Sequence, residues 1–299
     1  MSNSKTKLEE FVGMMKEATG SFPLNQAKET GMKGVYVFKG TDCGQYPAVY
    51  DPAIIIMIQG KKVARVDNRS FDLSVGRFTS IFLPMALEIE VVEASEEKPL
   101  IMLGIKMDLG RIANILMRMD KVSPVHSSNP SGTPSGIYSE PLTDDILDTM
   151  IRILKMGKNP LQMEVLGDAM LDELYFHLIC SDSSGSMHRL LHHRGEIPQI
   201  SRAITHIHEN LDEVVSVNQL AEIVNMSPSG FRKIFREVMH MPPLQYAKSI
   251  KLDRAQLFIR QGLNASEAGY KVGYNSPAQF SREYKRHFGF TPSETLALA

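Results

Sequence analysis

Residues 265–288 have the sequence ASEAGYKVGYNSPAQFSREYKRHF, and residues 217–239, VNQLAEIVNMSPSGFRKIFREVM, have the same layout. Each segment predicts a short helix, a tight turn and a second helix that begins at Ser-Pro. A Ser hydroxyl can accept a hydrogen bond from an unpaired N–H of the first turn, and Pro at the first helical position loses no hydrogen bond. The two segments therefore predict two helix-turn-helix units.

The second helix of each unit has an apolar stripe and a basic face. The apolar residues are Phe231, Ile234, Phe235 and Val238 in the first unit, and Phe280, Tyr284 and Phe288 in the second. The basic residues are Arg232, Lys233 and Arg236, and then Arg282, Lys285 and Arg286. A single helix of this kind is typically just solvated, but two copies after matching turns indicate insertion into the major groove of DNA.

Composition limits the other classes of protein. The chain has 299 residues, of which 43 % are hydrophobic and 22 % charged, and this length predicts two domains of a globular protein. From Glu196 onward there are twelve Lys and Arg against ten Asp and Glu, so the position of the charges, not their sum, indicates DNA. Two cysteines, no secretory signal and no long apolar run predict a cytoplasmic protein.

The N-terminal part has the pattern of a β-rich domain followed by helices. Short β-branched runs occur at 34–40, 52–67, 76–84, 86–93 and 99–107. They predict a sandwich or small barrel, and 59–62 predicts a hairpin turn between two strands. Helices are predicted at 108–119, 143–156 and 161–180.

The predicted organisation has three parts. Residues 1–185 would form a sensing and dimerisation domain, with a barrel at about 30–107 and helices at about 108–181. Residues 186–196 would be a linker, next to the polar segment 181–186, and residues 197–299 would form the DNA-binding domain.

With these patterns the chain resembles the AraC family of bacterial transcriptional regulators. The matching segments are 221–227 with Phe231 and Phe235, 243–246, 252–256, 272–277, 280–286 and 288–292. Residues 33–107, especially YDPAIIIMIQG at 50–60, resemble the cupin-like N-terminal domain of one AraC subgroup. The resemblance implies a multidomain α+β fold: an N-terminal cupin-like β-barrel with flanking helices, and a C-terminal all-α domain with two helix-turn-helix units.

The resemblance also assigns DNA contacts. Base contacts would come from Ser229, Arg232, Lys233, Gln279 and Arg282. Phosphate contacts would come from Arg236, Lys285 and Arg286. The chemistry agrees, since Arg binds guanine and Gln binds adenine through paired hydrogen bonds, while basic residues further along a helix meet phosphates. The implied partners are double-stranded DNA, a second copy of the chain and RNA polymerase.

The role of the N-terminal domain stays open. The leading hypothesis is a small-molecule effector, not identified from the sequence, bound in the barrel. The alternatives are a constitutive or architectural regulator without a ligand, and a cupin enzyme fused to a DNA-binding domain. The enzyme is disfavoured because no catalytic motif occurs in 1–195, and neither a catalytic residue nor a cofactor is predicted.

The histidines and cysteines are candidate metal ligands or reactive groups. Metal-binding cupins cluster histidines in the barrel, whereas the first histidine here is His126, and His188, His192 and His193 have no nearby cysteine, so no metal is predicted. Cys43 is either a small, partly buried residue or a thiol that reacts with an electrophile or oxidant. No Lys, Arg or His is adjacent in sequence to stabilise the thiolate, which weakens the second interpretation.

Overall fold

The computed structural model of the chain describes residues 2–66, 69–122, 135–182, 185 and 196–296. The strands in these ranges are β1 (Gln26–Glu29), β2 (Val35–Gly40), β3 (Gly44–Tyr50), β4 (Ala53–Gln59), β5 (Lys61–Val66), β6 (Arg69–Leu73), β7 (Arg77–Ile81), β8 (Met85–Glu93), β9 (Leu100–Lys106) and β10 (Ile137–Pro141). The helices are α1 (Ser2–Ala18), α2 (Leu109–Val122), α3 (Asp144–Met156), α4 (Pro160–Cys180), α5 (Glu196–Glu209), α6 (Val217–Ile223), α7 (Pro228–Met239), α8 (Pro243–Arg260), α9 (Ala265–Lys271) and α10 (Pro277–Phe288). A 3-10 turn follows at Pro292–Glu294.

The strands form two antiparallel sheets, which together are called the β domain. The first sheet has the order β1-β2-β9-β4-β7-β10, and the second has the order β3-β8-β5-β6. Burial alternates along β5, where Lys62, Ala64 and Val66 are buried, as expected for a strand with one face on the core. The central strand β4 is almost continuously buried instead. The sequence-based expectation of a β-rich N-terminal domain is therefore confirmed.

The predicted hairpin at residues 59–62 is wrong. Strand β4 pairs with β7 and β9 in one sheet, whereas β5 pairs with β6 and β8 in the other. The chain therefore crosses between sheets at Gly60, which has a positive φ of 81°. A Cβ atom at Gly60 would overlap the carbonyl oxygen of Glu93, so this crossing requires glycine.

Four of the observed strands were not predicted, because their sequences lack the long β-branched, alternating pattern of a typical strand. Strand β1 is exposed along its whole length, β3 contains Pro47, and β6 and β10 have only five residues each. Strand β10 follows the predicted loop and pairs with β7, with Ile137 opposite Ile81. Pairing with neighbours distant in sequence, rather than local propensity, makes these segments strands.

The predicted helices after the sheets are confirmed, and polar side chains cap them. The Asp108 carboxylate accepts a hydrogen bond from Arg111 N at 2.9 Å before α2. Thr143 caps α3, and Asn159 caps α4. Helix α3 contacts both α1 and α4, so it is enclosed within the N-terminal domain.

The buried apolar residues form two clusters of unequal extent. One cluster is continuous from the β domain through α5 and the first helix-turn-helix unit to Ile250 of α8. The second begins at Leu252 and contains the residues of the second unit. The first unit therefore shares a core with the β domain, whereas the second has its own. Among the described residues, no helix is long and apolar enough to cross a membrane.

Candidate nucleic-acid interface and interdomain cleft

The first helix-turn-helix unit consists of α6 and α7. Helix α6 begins with a capping box, in which Ser216 Oγ accepts from Gln219 N and the Gln219 side chain accepts from Ser216 N. Helix α7 begins at Pro228, and Ser227 Oγ accepts from Gly230 N at 3.2 Å. The Ser-Pro helix start predicted from the sequence is confirmed.

The second unit, α9 and α10, repeats this construction. Asn264 and Glu267 form the capping box of α9, and Ser276 Oγ accepts from Gln279 N at 3.3 Å at the start of α10. Its turn contains Gly273, with a φ of 80°, where a Cβ atom would overlap the backbone of Asp212. This glycine permits close packing of the turn against the loop after α5.

The apolar stripes hold each unit together. Phe231 and Phe235 are fully buried, with ring centroids 5.5 Å apart. Phe280 and Tyr284 occupy the matching positions in the second unit, and their centroids are 5.4 Å apart. These aromatic residues are therefore core residues and are not available to DNA.

The predicted DNA-contacting residues lie on the opposite, exposed sides of α7 and α10. In the first unit they are Ser229, Arg232, Lys233 and Arg236. In the second they are Gln279, Arg282, Lys285 and Arg286. The structure thus brings each predicted set onto one helix and leaves it accessible to solvent. Helix α8, which lies between the two units in the chain, is continuous over 18 residues.

A cleft of about 890 Å³ lies between the β domain and the helices α8 and α10. One wall is the four-stranded sheet, and the other is formed by α8 and α10. The polar lining includes Arg65 and Glu88 on the sheet and Asp253, Arg286 and His287 on the helices. Arg286 thus lies on the helix that carries the predicted DNA contacts Gln279 and Arg282, and it also borders this cleft.

Two polar atoms in the cleft wall are buried without a hydrogen-bond partner. They are Asp253 Oδ2 and His287 Nε2, which lie 3.8 Å apart. Glu283 nearby is satisfied, since it accepts from Lys248 Nζ at 3.1 Å and from the Tyr274 hydroxyl at 2.8 Å. Burial opposes ionisation of Glu283, but these hydrogen bonds outweigh it and lower its pKa.

The β domain is joined by direct hydrogen bonds to α8, through Tyr246, and to the C-terminal cap of α7, through His240. The Tyr246 hydroxyl donates to the carbonyl oxygen of Pro84 at 2.8 Å and lies 2.8 Å from His208 Nε2. His240 Nε2 lies 2.8 Å from Ser135 Oγ. These contacts could not be predicted from the sequence, because the partners are distant in the chain: Tyr246 and Pro84 are 162 positions apart, and Ser135 and His240 are 105 apart.

Lys62 is a further residue that the sequence analysis did not single out. It is 1 % exposed, its Nζ lies 3.1 Å from the Tyr46 hydroxyl, and the same atom lies 5.2 Å from the centroid of the Phe38 ring. Burial lowers its pKa to about 8.

Four histidines and Cys43 were candidates for metal binding or thiol chemistry, and of these only Cys43 lies within the described residues. His126, His188, His192 and His193 lie outside the described residues. Within the described ranges, no group of three or more His, Cys, Asp or Glu side chains could hold a metal ion. Cys43 is exposed rather than partly buried, and its Sγ lies 3.3 Å from the carbonyl oxygen of Ala94.

Two family models match the chain. Residues 31–186 match the AraC-type transcriptional regulator N-terminus, and residues 220–297 match a helix-turn-helix domain. The first match covers more than half of the chain, and the second contains most of both units described above.

Curated relatives are transcriptional regulators. The Msm operon regulatory protein of Streptococcus mutans is 23 % identical over 83 % of this chain and 85 % of its own length. The HTH-type transcriptional regulator AlkR of Acinetobacter baylyi is 35 % identical over 96 residues, which are 32 % of this chain and only 31 % of that protein. Several relatives are thus matched over about a third of their length.

The two-domain fold has solved counterparts. ToxT of Vibrio cholerae aligns with a TM-score of 0.57 over 88 % of this chain and 97 % of its own, at 10 % identity. A second ToxT structure, with an unsaturated fatty acid bound, aligns with a TM-score of 0.55 over 92 % of this chain and 96 % of its own, at 12 % identity. At this identity the likeness concerns the fold alone.

Proposed function

Since this chain belongs to the AraC family of DNA-binding transcriptional regulators, we propose that it reads DNA with α7 and α10 together. The observation that carries the proposal is the exposed polar face of each helix, opposite a fully buried aromatic stripe. The proposed base contacts are Ser229, Arg232, Lys233, Gln279 and Arg282. Their side chains lie in the N-terminal half of each helix, which enters the groove first in this motif.

Phosphate contacts are proposed for Arg236, Lys285 and Arg286, about one turn further along the same helices. The rigid helix α8 joins the two units, so both recognition helices should enter the same face of DNA, in successive major grooves. Successive grooves on one face are one helical turn apart, so the insertion points should be about 34 Å apart. Footprinting of a monomer should then show two protected grooves about 10 bp apart, and a single protected groove would contradict the two-unit proposal.

Base reading and phosphate binding can be separated with two neighbouring variants. Arg282→Ala should cost about 1–3 kcal/mol on DNA selected by the wild type from a random pool, with relaxed preference at one base position. Lys285→Ala is the matched control, and it should weaken all sequences alike and reduce the salt slope by about one unit. If Arg282→Ala lost the same affinity for selected and for scrambled DNA, Arg282 would be a phosphate contact and not a base contact.

We also propose that a small-molecule effector regulates this binding. The sequence-based hypothesis places it in the N-terminal barrel, and the cleft on the outer side of the β domain adds a specific candidate site. Its volume lies in the range of ligand pockets, and its wall combines apolar Met241 and Leu252 with basic side chains, including Arg286, and with the carboxylates of Glu88, Asp253 and Glu283. We take an amphipathic anion, the class of molecule bound in one ToxT structure, as the candidate ligand, with its charged group on Arg286.

An unsaturated fatty acid is therefore the first probe. It should raise the melting temperature of the wild-type chain, because a ligand that binds only the folded state stabilises it. The increase should shrink in Arg286→Ala and persist in Arg282→Ala. An equal increase in melting temperature in both variants would argue for a site inside the barrel. If the fatty acid did not raise the melting temperature of the wild type, amphipathic anions would be excluded as effectors and a constitutive regulator would be favoured.

A homodimer is proposed through α4. Its N-terminal half exposes the apolar side chains Leu161, Val165 and Leu166. A group of exposed apolar residues on a regular helix is typical of a protein–protein interface. Val165→Asp should convert a dimer at tens of micromolar into a monomer in sedimentation, whereas Leu257→Asp, at an exposed position on α8, should not. A wild-type monomer would contradict the proposal.

The remaining proposals follow from this function. Binding to chromosomal DNA requires a cytoplasmic location, and promoter activation would bring RNA polymerase as a partner. The proposed function involves no catalysis, and the curated relatives are regulators.

A further inference from the structure

The two recognition helices end in the same backbone conformation but with different residues. Aligned on Ser-Pro, His240 of the first unit corresponds to Gly289 of the second. Both are left-handed caps, with φ values of 58° and 84°, and both donate their N–H to the carbonyl oxygen four residues earlier. A left-handed backbone suits glycine and is unfavourable for a residue with a Cβ atom.

The surroundings of the two caps explain the difference. Gly289 is exposed, and a Cβ atom there would meet nothing within 4 Å. His240 is 4 % exposed, its Nε2 lies 2.8 Å from Ser135 Oγ, and its ring centroid lies 6.0 Å from that of Phe71. The first unit therefore keeps an unfavourable cap residue where the β domain packs against it.

The direction of the hydrogen bond at His240 follows from the single hydroxyl proton of Ser135. That proton is donated to the carbonyl oxygen of Ile137, which can only accept. Ser135 Oγ must therefore accept from His240, so Nε2 carries a proton. Beside this bond, Gly136 N donates to the carbonyl oxygen of Val238 at 2.8 Å. We call these two hydrogen bonds the His240 clamp.

The clamp joins a sheet edge to the end of a DNA-reading helix. Residues 135 and 136 lead directly into β10, and the carbonyl oxygen of Gly136 accepts from Phe82 N at 2.8 Å. Helix α7 carries Arg232 and Lys233 on its exposed side. A displacement of the sheet edge would therefore act directly on the C-terminal end of α7, whereas at the corresponding cap of α10 a Cβ atom on Gly289 would meet nothing within 4 Å.

We propose that His240 is a positioning residue for DNA recognition, which holds the first recognition helix in a fixed orientation on the β domain. It acts through α7 and not by contact with DNA. This inference rests on the proposed DNA-reading role of α7, and it makes the two units unequal: groove contacts of the first unit depend on the β domain, and those of the second do not depend on this clamp.

Three substitutions separate positioning from simple helix capping. His240→Gly and His240→Asn suit the left-handed backbone, but glycine has no side chain and the shorter Asn amide does not extend to Ser135. His240→Gln places a donor nitrogen at the same side-chain position as Nε2 but keeps an unfavourable backbone. If His240 served only as a helix cap, the Gly and Asn variants should bind DNA more tightly than the Gln variant. If His240 positions α7, the Gln variant should bind more tightly than both.

Affinity and footprints are measured with full-length protein on DNA selected by the wild type. His240→Gly and His240→Asn should lose at least about fivefold in affinity, the lower end of typical coupling between sites. Protection should be lost in the groove of the first unit and kept in that of the second, and His240→Gln should restore it. Unchanged footprints in the Gly variant, or affinities that rank Gly and Asn above Gln, would overturn the inference.

Amide hydrogen exchange without DNA tests the same clamp independently. Residues 137–141 and 228–239 should both exchange faster in His240→Gly than in the wild type, with His240→Gln between them. The matched control Gly289→His should accelerate exchange in α10 but not in β10. Unchanged exchange at both segments in His240→Gly would refute the clamp. If the wild type selected no DNA sequence, the proposed function would fail, and exchange would still decide whether the clamp exists.

Discussion

The hydrogen bond from Tyr246 of α8 to Pro84 offers a direct test of how strongly the β domain holds α8 and the first unit, whose Phe235 packs on the Tyr246 ring. Tyr246 is fully buried, and its hydroxyl donates to the Pro84 carbonyl oxygen, which can only accept. The hydroxyl must then accept from His208 Nε2, which lies 2.8 Å away. Tyr246→Phe removes both hydrogen bonds while retaining the ring that packs on Phe235.

The expected loss follows from these two bonds. A typical intramolecular hydrogen bond contributes about 0.5–1.5 kcal/mol net, and a buried group left unpaired costs about 1–3 kcal/mol. Since Tyr246→Phe deprives one carbonyl and one ring N–H of their partner, we expect a loss of about 2–4 kcal/mol in the free energy of unfolding. The β domain and the first unit share one core, so the loss should appear in their common transition.

The assay is urea unfolding of the full chain, followed by fluorescence and circular dichroism. The matched control is Tyr284→Phe, which removes the buried hydrogen bond between the Tyr284 hydroxyl of the second unit and Thr295. This variant should lose about 1 kcal/mol, and only in the transition of the second unit. A change below about 0.5 kcal/mol for Tyr246→Phe would refute the reasoning, because an interdomain hydrogen bond of no net value cannot hold the unit.

Three further predictions concern buried groups. Burial lowers the pKa of His208 below its ordinary 6.5, so neutral His208 favours folding above that pH, and His208→Gln should reduce the loss of stability measured as pH falls below it. The lowered pKa of Lys62, about 8 in place of 10.5, means that wild-type stability rises as pH increases between these values, and Lys62→Met should remove that rise in denaturant titrations. Phe280→Ala should cost roughly 3–5 kcal/mol and accelerate hydrogen exchange in 265–288 while the β domain stays protected; equal acceleration in both would contradict separate cores.

Local sequence determined the helices of the C-terminal DNA-binding domain. A Ser-Pro step, a capping residue and aromatic spacing act within one or two helical turns, so they predict α7 and α10 and the exposed positions between their aromatic stripes. The same local logic placed the helices after Asp108, Thr143 and Asn159. These predictions hold because a helix satisfies its backbone hydrogen bonds within its own segment.

Tertiary structure decided which strands pair and which domains meet. Gly60 looked like a hairpin turn, but its neighbours belong to different sheets, since strand pairing depends on partners distant in sequence. Strand β10 forms by pairing with the edge of β7, and the His240 clamp forms because the residues just before β10 lie beside the C-terminal end of α7. The sequence by itself determined that two helices present basic faces; only the packing of the β domain determined which helix is fixed to it, because contacts across more than 100 residues leave no local pattern.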